Sequence, residues 1–278
     1  MLNKLINIEE VERKPFKRHF IRNVVLELSF NDLNKETLIN NKEKLQSAFK
    51  QLGFVKFGEM KQIEFKMTVD KDTPEQIKNE DETIGLLMFD DSRKIRIELF
   101  SNRIIISIFK YLNFDIFIDD IMKMIDVLKS ITSDSIQAKS VTLSKQNTII
   151  STDTKSFDDL TYILNKPLLQ SIRESSFLIC SGVSLSIRES LIPFENFEYT
   201  KDEFSITKEN YKCLIGSNCV KRSNVGEYEI NLNISVIDNQ ISNFEQLTEV
   251  LKDINNFIFS LFCWATTEKF KSVMNEEV

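Results

Sequence analysis

The fold class is decided by residues 84–108, whose sequence is IGLLMFDDSRKIRIELFSNRIIISI. Apolar residues recur at every second position through residues 95–99 and again through residues 104–108, a spacing that predicts half-buried strands. The polar turns between the apolar runs, residues 90–92 and 101–102, are short. Because a parallel pair needs a much longer crossover, these turns predict an antiparallel meander and not a series of βαβ units.

Elements on either side of this meander complete the first half of the chain. Apolar residues at helical spacing predict a helix over residues 38–52, and Gly53 lies where a left-handed C-terminal residue would end it. Residues 63–69 alternate as a strand, whereas the polar residues 70–82 predict a loop. Apolar residues on one face predict a further helix over residues 114–128.

The second half of the chain repeats this order. Residues 228–236 alternate as one long strand, and Ser242 with Glu245 predicts a capping box at the start of the last long helix. The segment Asn113-Phe114-Asp115 before one closing helix corresponds to Asn243-Phe244-Glu245 before the other. This correspondence favours an internal repeat.

These elements predict an α+β fold in which antiparallel sheets have helices packed on one face. We expect two similar lobes that derive from a duplication, residues 1–132 and 133–278. At 278 residues, the chain is long enough for either one large core or two smaller ones.

Charge and cysteine content bound the cellular setting. The chain has 36 Lys and Arg against 42 Asp and Glu, a formal net charge of −6, which disfavours nucleic acid and anionic lipid as partners. Its four cysteines are scattered, as expected for free thiols in a reducing compartment. No apolar run approaches the length of a membrane span, and charged residues interrupt the N-terminus early. We therefore expect a cytoplasmic protein with no membrane partner.

The sequence favours a binding protein over an enzyme. His19 is the only histidine of the sequence. A metal site with several histidines is therefore excluded, and a hydrolytic triad would depend on this one residue. Cys213 and Cys219 lack the spacing and the second pair of a zinc site, so we expect buried thiols. No glycine-rich loop opens a helix. These observations predict no catalytic residues, no metal and no cofactor.

Carboxylates leave one enzymatic alternative open. Glu64 and Lys66 have the E-x-K spacing that some metal-dependent nucleases carry on a strand, and both would point to the same face. The same alternation is the ordinary polar face of an amphipathic strand. The pairs Asp90-Asp91, Asp119-Asp120 and Asp158-Asp159 are further carboxylate candidates.

Two segments are candidate binding surfaces. The C-terminal stretch carries more aromatic residues than one helix face can bury, so we expect a partner surface formed by Phe257, Phe262, Trp264 and Phe270. Near the N-terminus, basic residues interleave with Phe16 and Phe20, a pattern that can contact nucleic acid or phosphate. The basic residues of this arm are Arg13, Lys14, Lys17, Arg18 and Arg22. In an acidic protein, a docking arm or a solvated edge is the favoured interpretation.

Short motifs resemble those of a known family. Tyr111, Phe114 and Asp115 at the start of the mid-chain helix, and Phe262, Thr266 and Thr267 near the end, are similar to motifs of the TIGR-series family of sporadically distributed, uncharacterised bacterial proteins. That family usually has a tryptophan where Phe114 stands and a histidine in the stretch that holds Asn255 and Asn256 here. The resemblance implies carriage on mobile elements and a component of a bacterial antiviral defence or conflict system.

Together, these features predict a non-enzymatic recognition protein that acts through a macromolecular partner, most simply another protein. The alternatives are a metal-dependent hydrolase of nucleic acid that uses Glu64 and Lys66, and a sensor that binds a small ligand between the lobes. Oligomeric state does not follow from the sequence.

Overall fold

A computed structural model of the chain describes residues 8, 11, 16, 20–31, 33, 35–62, 65–69, 74–78, 82–92, 94–132, 136–151, 161–165, 184–191, 200–222 and 227–275. The chain divides into two compact units. The nested unit is Glu27–Ala138, and the terminal unit combines Met1–Leu26 with Lys139–Val278. The first strand, β1 (Ile21–Phe30), contributes residues to both units.

The nested unit combines strands with three helices among its described residues. Its further strands are β2 (Lys56–Gln62), β3 (Phe65–Val69), β4 (Pro74–Lys78), β5 (Glu82–Asp90), β6 (Ile95–Phe100) and β7 (Arg103–Ile108). Its helices are α1 (Lys35–Asn40), α2 (Lys42–Gln51) and α3 (Phe114–Thr132).

The main sheet of this unit has the order β2-β5-β6-β7-β1. The pairings of β2 with β5, β5 with β6 and β6 with β7 are antiparallel. The amide of Phe30 donates to the carbonyl of Asn102 at 2.9 Å, so β1 runs antiparallel to β7 as well. The predicted meander of residues 84–108 is therefore confirmed, including both of its short turns.

The core of the nested unit lies between this sheet and the helices. Alternate residues of the strands, among them Leu28, Ile97 and Ile106, are fully buried. Helix α2 contributes Phe49 and packs against α3. The prediction for Gly53 is also confirmed: it adopts a φ of +97° just after α2, a conformation that is strained for any residue with a Cβ atom.

The predicted loop over residues 70–82 is wrong in part, because β4 lies within it. This strand pairs with β3 in a separate two-stranded antiparallel sheet, with Phe65 opposite Lys78. Pro74 is the first residue of β4, a position at which the missing amide of proline is tolerated. The polar composition of β4 hid the strand, because pairing of the backbone does not require an apolar pattern.

The terminal unit is built on longer strands. They are β8 (Ala138–Ser151), β9 (Ser184–Leu191), β10 (Thr200–Lys208), β11 (Tyr211–Arg222) and β12 (Glu227–Asp238), and the sheet order is β1-β8-β12-β11-β10-β9. The pairings from β8 to β9 are antiparallel. Thr148 donates its amide to the carbonyl of Phe20 at 2.9 Å, which fixes β8 beside the start of β1.

Two helices follow these strands. A single 3-10 turn, Phe244–Gln246, leads into α4 (Leu247–Ala265), which packs on β12, and α5 (Glu268–Asn275) follows. The predicted capping box of Ser242 and Glu245 is wrong, because Asn243 is the cap: its Oδ1 accepts from the amide of Gln246 at 3.0 Å. Asparagine is as good an N-cap as serine, so the sequence offered two adjacent candidates.

The architecture confirms the predicted α+β class with antiparallel strand pairing. The bounds of the two compact units differ from those of the predicted lobes, because residues up to Leu26 group with the C-terminal part of the chain. Within the described residues, no helix combines the length and the hydrophobicity that crossing a membrane requires.

Candidate functional site

The aromatic residues predicted to form a partner surface are mostly buried. Phe257, Phe262 and Phe270 are each less than a tenth exposed, and Trp264 is half-buried. The reason is that α4 and α5 are covered on a second side, since Phe16 contacts Phe262 with ring centroids 6.2 Å apart. The role of these residues in partner binding stays a prediction.

Most of the predicted basic arm lies outside the described residues, namely Arg13, Lys14, Lys17 and Arg18. His19 lies outside them as well. Arg22 is described and is exposed on β1. Glu64 and the pair Asp158-Asp159 also lie outside the described residues, and of Lys66 only the backbone position in β3 is described. The nucleic-acid and hydrolase hypotheses therefore stay predictions.

The two other carboxylate pairs lie among the described residues. Asp90 is buried at the end of β5, and its Oδ1 accepts from the amide of Ser92 at 2.9 Å and from the Ser92 hydroxyl at 2.7 Å. In α3, Asp119 is exposed and Asp120 is buried. Among the residues that the structure describes, no three His, Cys, Asp or Glu side chains are grouped so that they could hold a metal ion.

The two cysteines with described side chains are buried thiols, as predicted for Cys213. Burial raises the pKa of Cys213 well above its usual value. Burial also raises the pKa of Cys263, although the nearby ammonium of Lys271 opposes part of that shift. Raised pKa values keep both thiols protonated near neutral pH, when a thiol is a poor nucleophile.

A cavity of about 300 Å³ opens in the nested unit, at the start of α3. Its deeper walls include Ile95 from β6, Ile108 from β7, and Tyr111 and Phe117, all of which are buried core residues. Leu112, Asn113 and Ile116 line the cavity as well. The cavity is therefore a gap in the apolar core that reaches the surface where the chain passes from β7 into α3.

The local sequence explains why the chain turns here. Asn113 caps α3, because its Oδ1 accepts from the amide of Ile116 at 2.9 Å. Phe114 then stacks on Phe117 with ring centroids 5.7 Å apart, and Tyr111 lies 6.3 Å from Phe117. The aromatic cluster fixes the first turn of α3, and so holds the residues before and after it at the mouth of the cavity.

Apolar side chains are exposed among the residues that line the cavity and next to them in sequence. The exposed fractions are 44% for Phe109, 58% for Leu112 and 43% for Ile116. Leu112 and Ile116 line the cavity, and Phe109 lies between the lining residues Ile108 and Lys110 in sequence. We call Phe109, Leu112 and Ile116 the rim patch. Three large apolar residues exposed within eight positions form a concentrated apolar feature, unlike the single exposed apolar residues that are normal on protein surfaces.

Two charged residues of opposite sign join the lining. Lys110 is exposed, whereas Asp120 is buried, and Ser92 and Asn113 complete the polar part. An apolar wall with a few polar groups is the usual composition of a binding pocket. The cavity can therefore accept an apolar group and orient polar atoms attached to it.

This site is not predicted by the sequence, although one signal of it is present. The predicted apolar face of α3 includes Phe117, Ile121 and Ile125, and Ile116 is an apolar residue off that stripe. Together with Leu112, two residues before the helix, Ile116 marks an apolar surface that the sheet does not cover. A cavity depends on packing of separate elements, however, and no pattern along the chain predicts its volume.

The core of the terminal unit contains a buried polar contact. The ammonium of Lys145 on β8 donates to Oδ1 of Asn255 on α4, and both side chains are buried. Asn147, two positions along β8 on the same face, donates from Nδ2 to the carbonyl of Leu232 at 3.2 Å. Asn255 is one of the two residues in the stretch where the resemblance places a histidine.

Two further residues that carry the resemblance form hydrogen bonds near the end of the chain. The hydroxyl of Thr266 donates to the carbonyl of Phe262 at 2.7 Å, and the amide of Thr267 donates to the carbonyl of Ile163 at 3.0 Å. No protein-family model and no curated protein matches this chain. The resemblance to the TIGR-series family therefore stays a prediction.

Proposed function

We propose that this chain is a non-enzymatic recognition protein that binds a partner protein through the rim patch and the cavity beside it. The observation that carries the proposal is the exposure of Leu112 and Ile116 in the lining of an apolar cavity of about 300 Å³, with the exposed Phe109 next to the lining residues in sequence. Apolar residues around a pocket are typical of the centres of protein interfaces, where a few buried anchors supply most of the binding energy.

The chemistry of the walls indicates what the partner presents. Ile95, Ile108 and Phe117 offer no hydrogen bonds from their side chains, so a polar group that reached them would lose its hydration without compensation. The partner therefore inserts an apolar side chain, of leucine or phenylalanine type. Lys110 and Asp120, at the charged part of the lining, would contact polar groups that flank this anchor.

The experiment compares two matched substitutions in the full chain. Ile116→Asp places a charge on the rim patch, whereas Ile39→Asp places one on an isoleucine of α1 that is similarly exposed, at 49% against 43%, and does not line the cavity. The tagged proteins are used to capture partners from the native host at low salt, with bound proteins identified by mass spectrometry. Melting curves confirm that both variants are folded.

We expect a stoichiometric partner with the unchanged protein and with Ile39→Asp, and loss of at least about 90% of it with Ile116→Asp. Loss of an interface hot spot costs about 2 kcal/mol or more, and the burial of an unpaired charge adds to that cost, which suffices for the expected loss. Retention of the partner by a double variant, Leu112→Asp with Ile116→Asp, would contradict the proposal.

The cavity also favours a second candidate function, the sensing of a small ligand. Its volume of about 300 Å³ lies at the lower end of the range for small-molecule sites, roughly 300–1,000 Å³. A ligand that binds the native state raises the melting temperature by mass action. A compound that does so for the unchanged chain but not for Ile116→Asp would support this candidate over the first.

Within each unit, the start of the long helix follows the same design, and we propose that this reflects the duplication expected from the sequence. Asn113 and Asn243 each cap a helix with Oδ1 and accept from an amide three residues later. The next residue is a buried phenylalanine in both cases, Phe114 and Phe244. A role in a bacterial defence system is proposed on the family resemblance alone.

A further inference from the structure

We propose that helices α4 and α5 of the terminal unit form a peptide-binding groove in which Phe16 and Phe20 of the chain itself lie. The groove recognises a segment with two phenylalanines four residues apart. This site is separate from the rim patch, and its partner is a peptide segment of that chemistry, presented by another protein in competition with the chain's own segment.

The contacts are made by side chains that precede β1. The ring of Phe16 lies 5.7 Å from that of Phe259 and 6.2 Å from that of Phe262, centroid to centroid. The ring of Phe20 lies 5.3 Å from that of Phe270. Aromatic pairs at these separations attract each other beyond the effect of burying their area. Phe16 and Phe20 are thus two anchors on one surface.

Burial around α4 shows that the surface is a covered one. Ser260, Leu261, Phe262 and Cys263 are four consecutive buried residues, and successive residues of a helix point about 100° apart. A helix that only rests on a sheet buries one stripe. Burial on nearly all sides at these positions therefore requires a second covering layer, and Phe16 is part of it.

The segment is held differently at its two ends. At Phe20, the carbonyl accepts from the amide of Thr148, so this end joins the sheet through its backbone. At Val11, the backbone amide donates to the Ser260 hydroxyl at 3.3 Å. Phe16 and Phe20 make the described ring contacts with the helices. Recognition by side chains can be reproduced by another segment that presents the same side chains.

An added peptide must compete with the chain's own Phe16 and Phe20 for the groove. A tethered segment has an effective concentration of about 1 mM when its linker is short. If the segment alone binds with a Kd of about 100 μM, the tethered copy fills the groove roughly nine-tenths of the time. Removal of the tethered anchors should then tighten the apparent binding of an added peptide by about 10-fold.

The experiment uses the full chain and a peptide that copies residues 8–20, IEEVERKPFKRHF. Trp264 is the only tryptophan of the chain, is half-buried on α4 one turn after Ser260, and the peptide has none. Its emission therefore reports binding directly. The peptide is titrated into the unchanged chain and into a double variant, Phe16→Ala with Phe20→Ala. A control peptide of equal charge carries F16S and F20S.

We expect the double variant to bind the peptide about 10-fold more tightly than the unchanged chain does, and neither protein to bind the control peptide. Equal binding of both peptides would overturn the proposal, because attraction between a basic peptide and an acidic protein would then suffice. Equal affinity of both proteins, or no binding by a folded double variant, would also overturn it. Circular dichroism establishes folding, and Phe16→Ala alone serves if the double variant does not fold.

Discussion

Asp238, the last residue of β12, is a carboxylate buried next to other acidic groups. Burial is the main cause that raises its pKa above the ordinary value of 3.8, the charge of Asp253 adds to the shift, and a hydrogen bond from the amide of Gln240 at 2.7 Å opposes it. Burial is also the main cause that raises the pKa of Tyr211, and the charges of Asp238, Asp253 and Glu209 add to that shift. This end of the terminal unit therefore holds its protons more tightly than the unfolded chain does.

A substitution at Asp238 should show how much the burial of this carboxylate destabilises the folded protein. The folded state binds the Asp238 proton more strongly than the unfolded state, so the free energy of unfolding falls as the pH rises from 3.8 through the raised pKa. Asp238→Asn removes this titration and keeps an oxygen that can accept from Gln240. We expect the variant to be more stable than the unchanged chain at pH 7, with a gain that shrinks as the pH is lowered towards 3.8.

Melting temperatures of both proteins between pH 4 and pH 7 provide the measurement. Asp253 is exposed, so Asp253→Asn serves as a control that removes only the neighbouring charge and should give a smaller effect of the same sign. A stability difference that does not change with pH would contradict the explanation, because it would place the effect of Asp238→Asn in packing.

Individual residues were predicted well only where their role is local. Gly53 was predicted from its position after a helix, and its positive φ confirms the reason. Phe262 and Phe270 could not be assigned to the interior from their spacing, because Phe16 and Phe20, which lie across them, come from the other end of the chain. A surface that is covered by a distant segment looks identical, in sequence, to one that is open.

At the scale of elements, α3 begins where a single side chain satisfies its first turn. Asn113 accepts from the amide of Ile116 at 2.9 Å, and replacement of such a cap by alanine costs about 1 kcal/mol, within a range of roughly 0.5–2 kcal/mol. We expect Asn113→Ala to lower the free energy of unfolding of the nested unit by about that amount, measured by urea denaturation. Asn113→Ser, which retains a capping oxygen, should have a much smaller effect.

Equal losses of unfolding free energy in Asn113→Ala and Asn113→Ser would contradict this prediction. They would show that Asn113 acts as part of the cavity lining and not as a cap. Asn243→Ala provides a second comparison. Its Oδ1 accepts from Gln246 at 3.0 Å in the terminal unit, so the cost should be similar but should appear in that unit.

Elements were predictable where their burial is one-sided. In β6 and β7, alternate residues such as Ile97 and Ile106 are buried while their neighbours are more exposed, so the period of two is visible in the sequence. Strand β4 pairs with β3 in a two-stranded sheet, with no further partner among the described strands, and its residues are mostly polar. The cavity beside α3 depends on β6, β7 and α3 together, which no single element encodes.

At the scale of the whole molecule, the division into units depends on one strand. The predicted lobes followed chain order, because a sequence indicates which elements exist more readily than which of them pair. In the structure, Ile21 through Leu26 group with the terminal unit, and Glu27 through Phe30 group with the nested unit. The buried residues Leu26 and Leu28 thus lie on the same face of β1 but belong to different units.

This arrangement predicts that damage to either half of β1 reaches both units. Leu26→Ala and Leu28→Ala each remove buried apolar contacts, at a cost of about 2–5 kcal/mol. A ten-residue strand cannot keep the hydrogen bonds of one half fully intact when the other half loosens, because adjacent backbone amides open together as a cooperative segment. We therefore expect each variant to lower hydrogen-exchange protection in β7, from the nested unit, and in β8, from the terminal unit.

The exposed residue Arg22 on the same strand provides the control, since Arg22→Ala should leave both strands protected. The prediction would be contradicted if Leu26→Ala lowered protection only in β8 and Leu28→Ala only in β7. The two halves of β1 would then open independently, and the nested unit would be expected to open without the terminal unit.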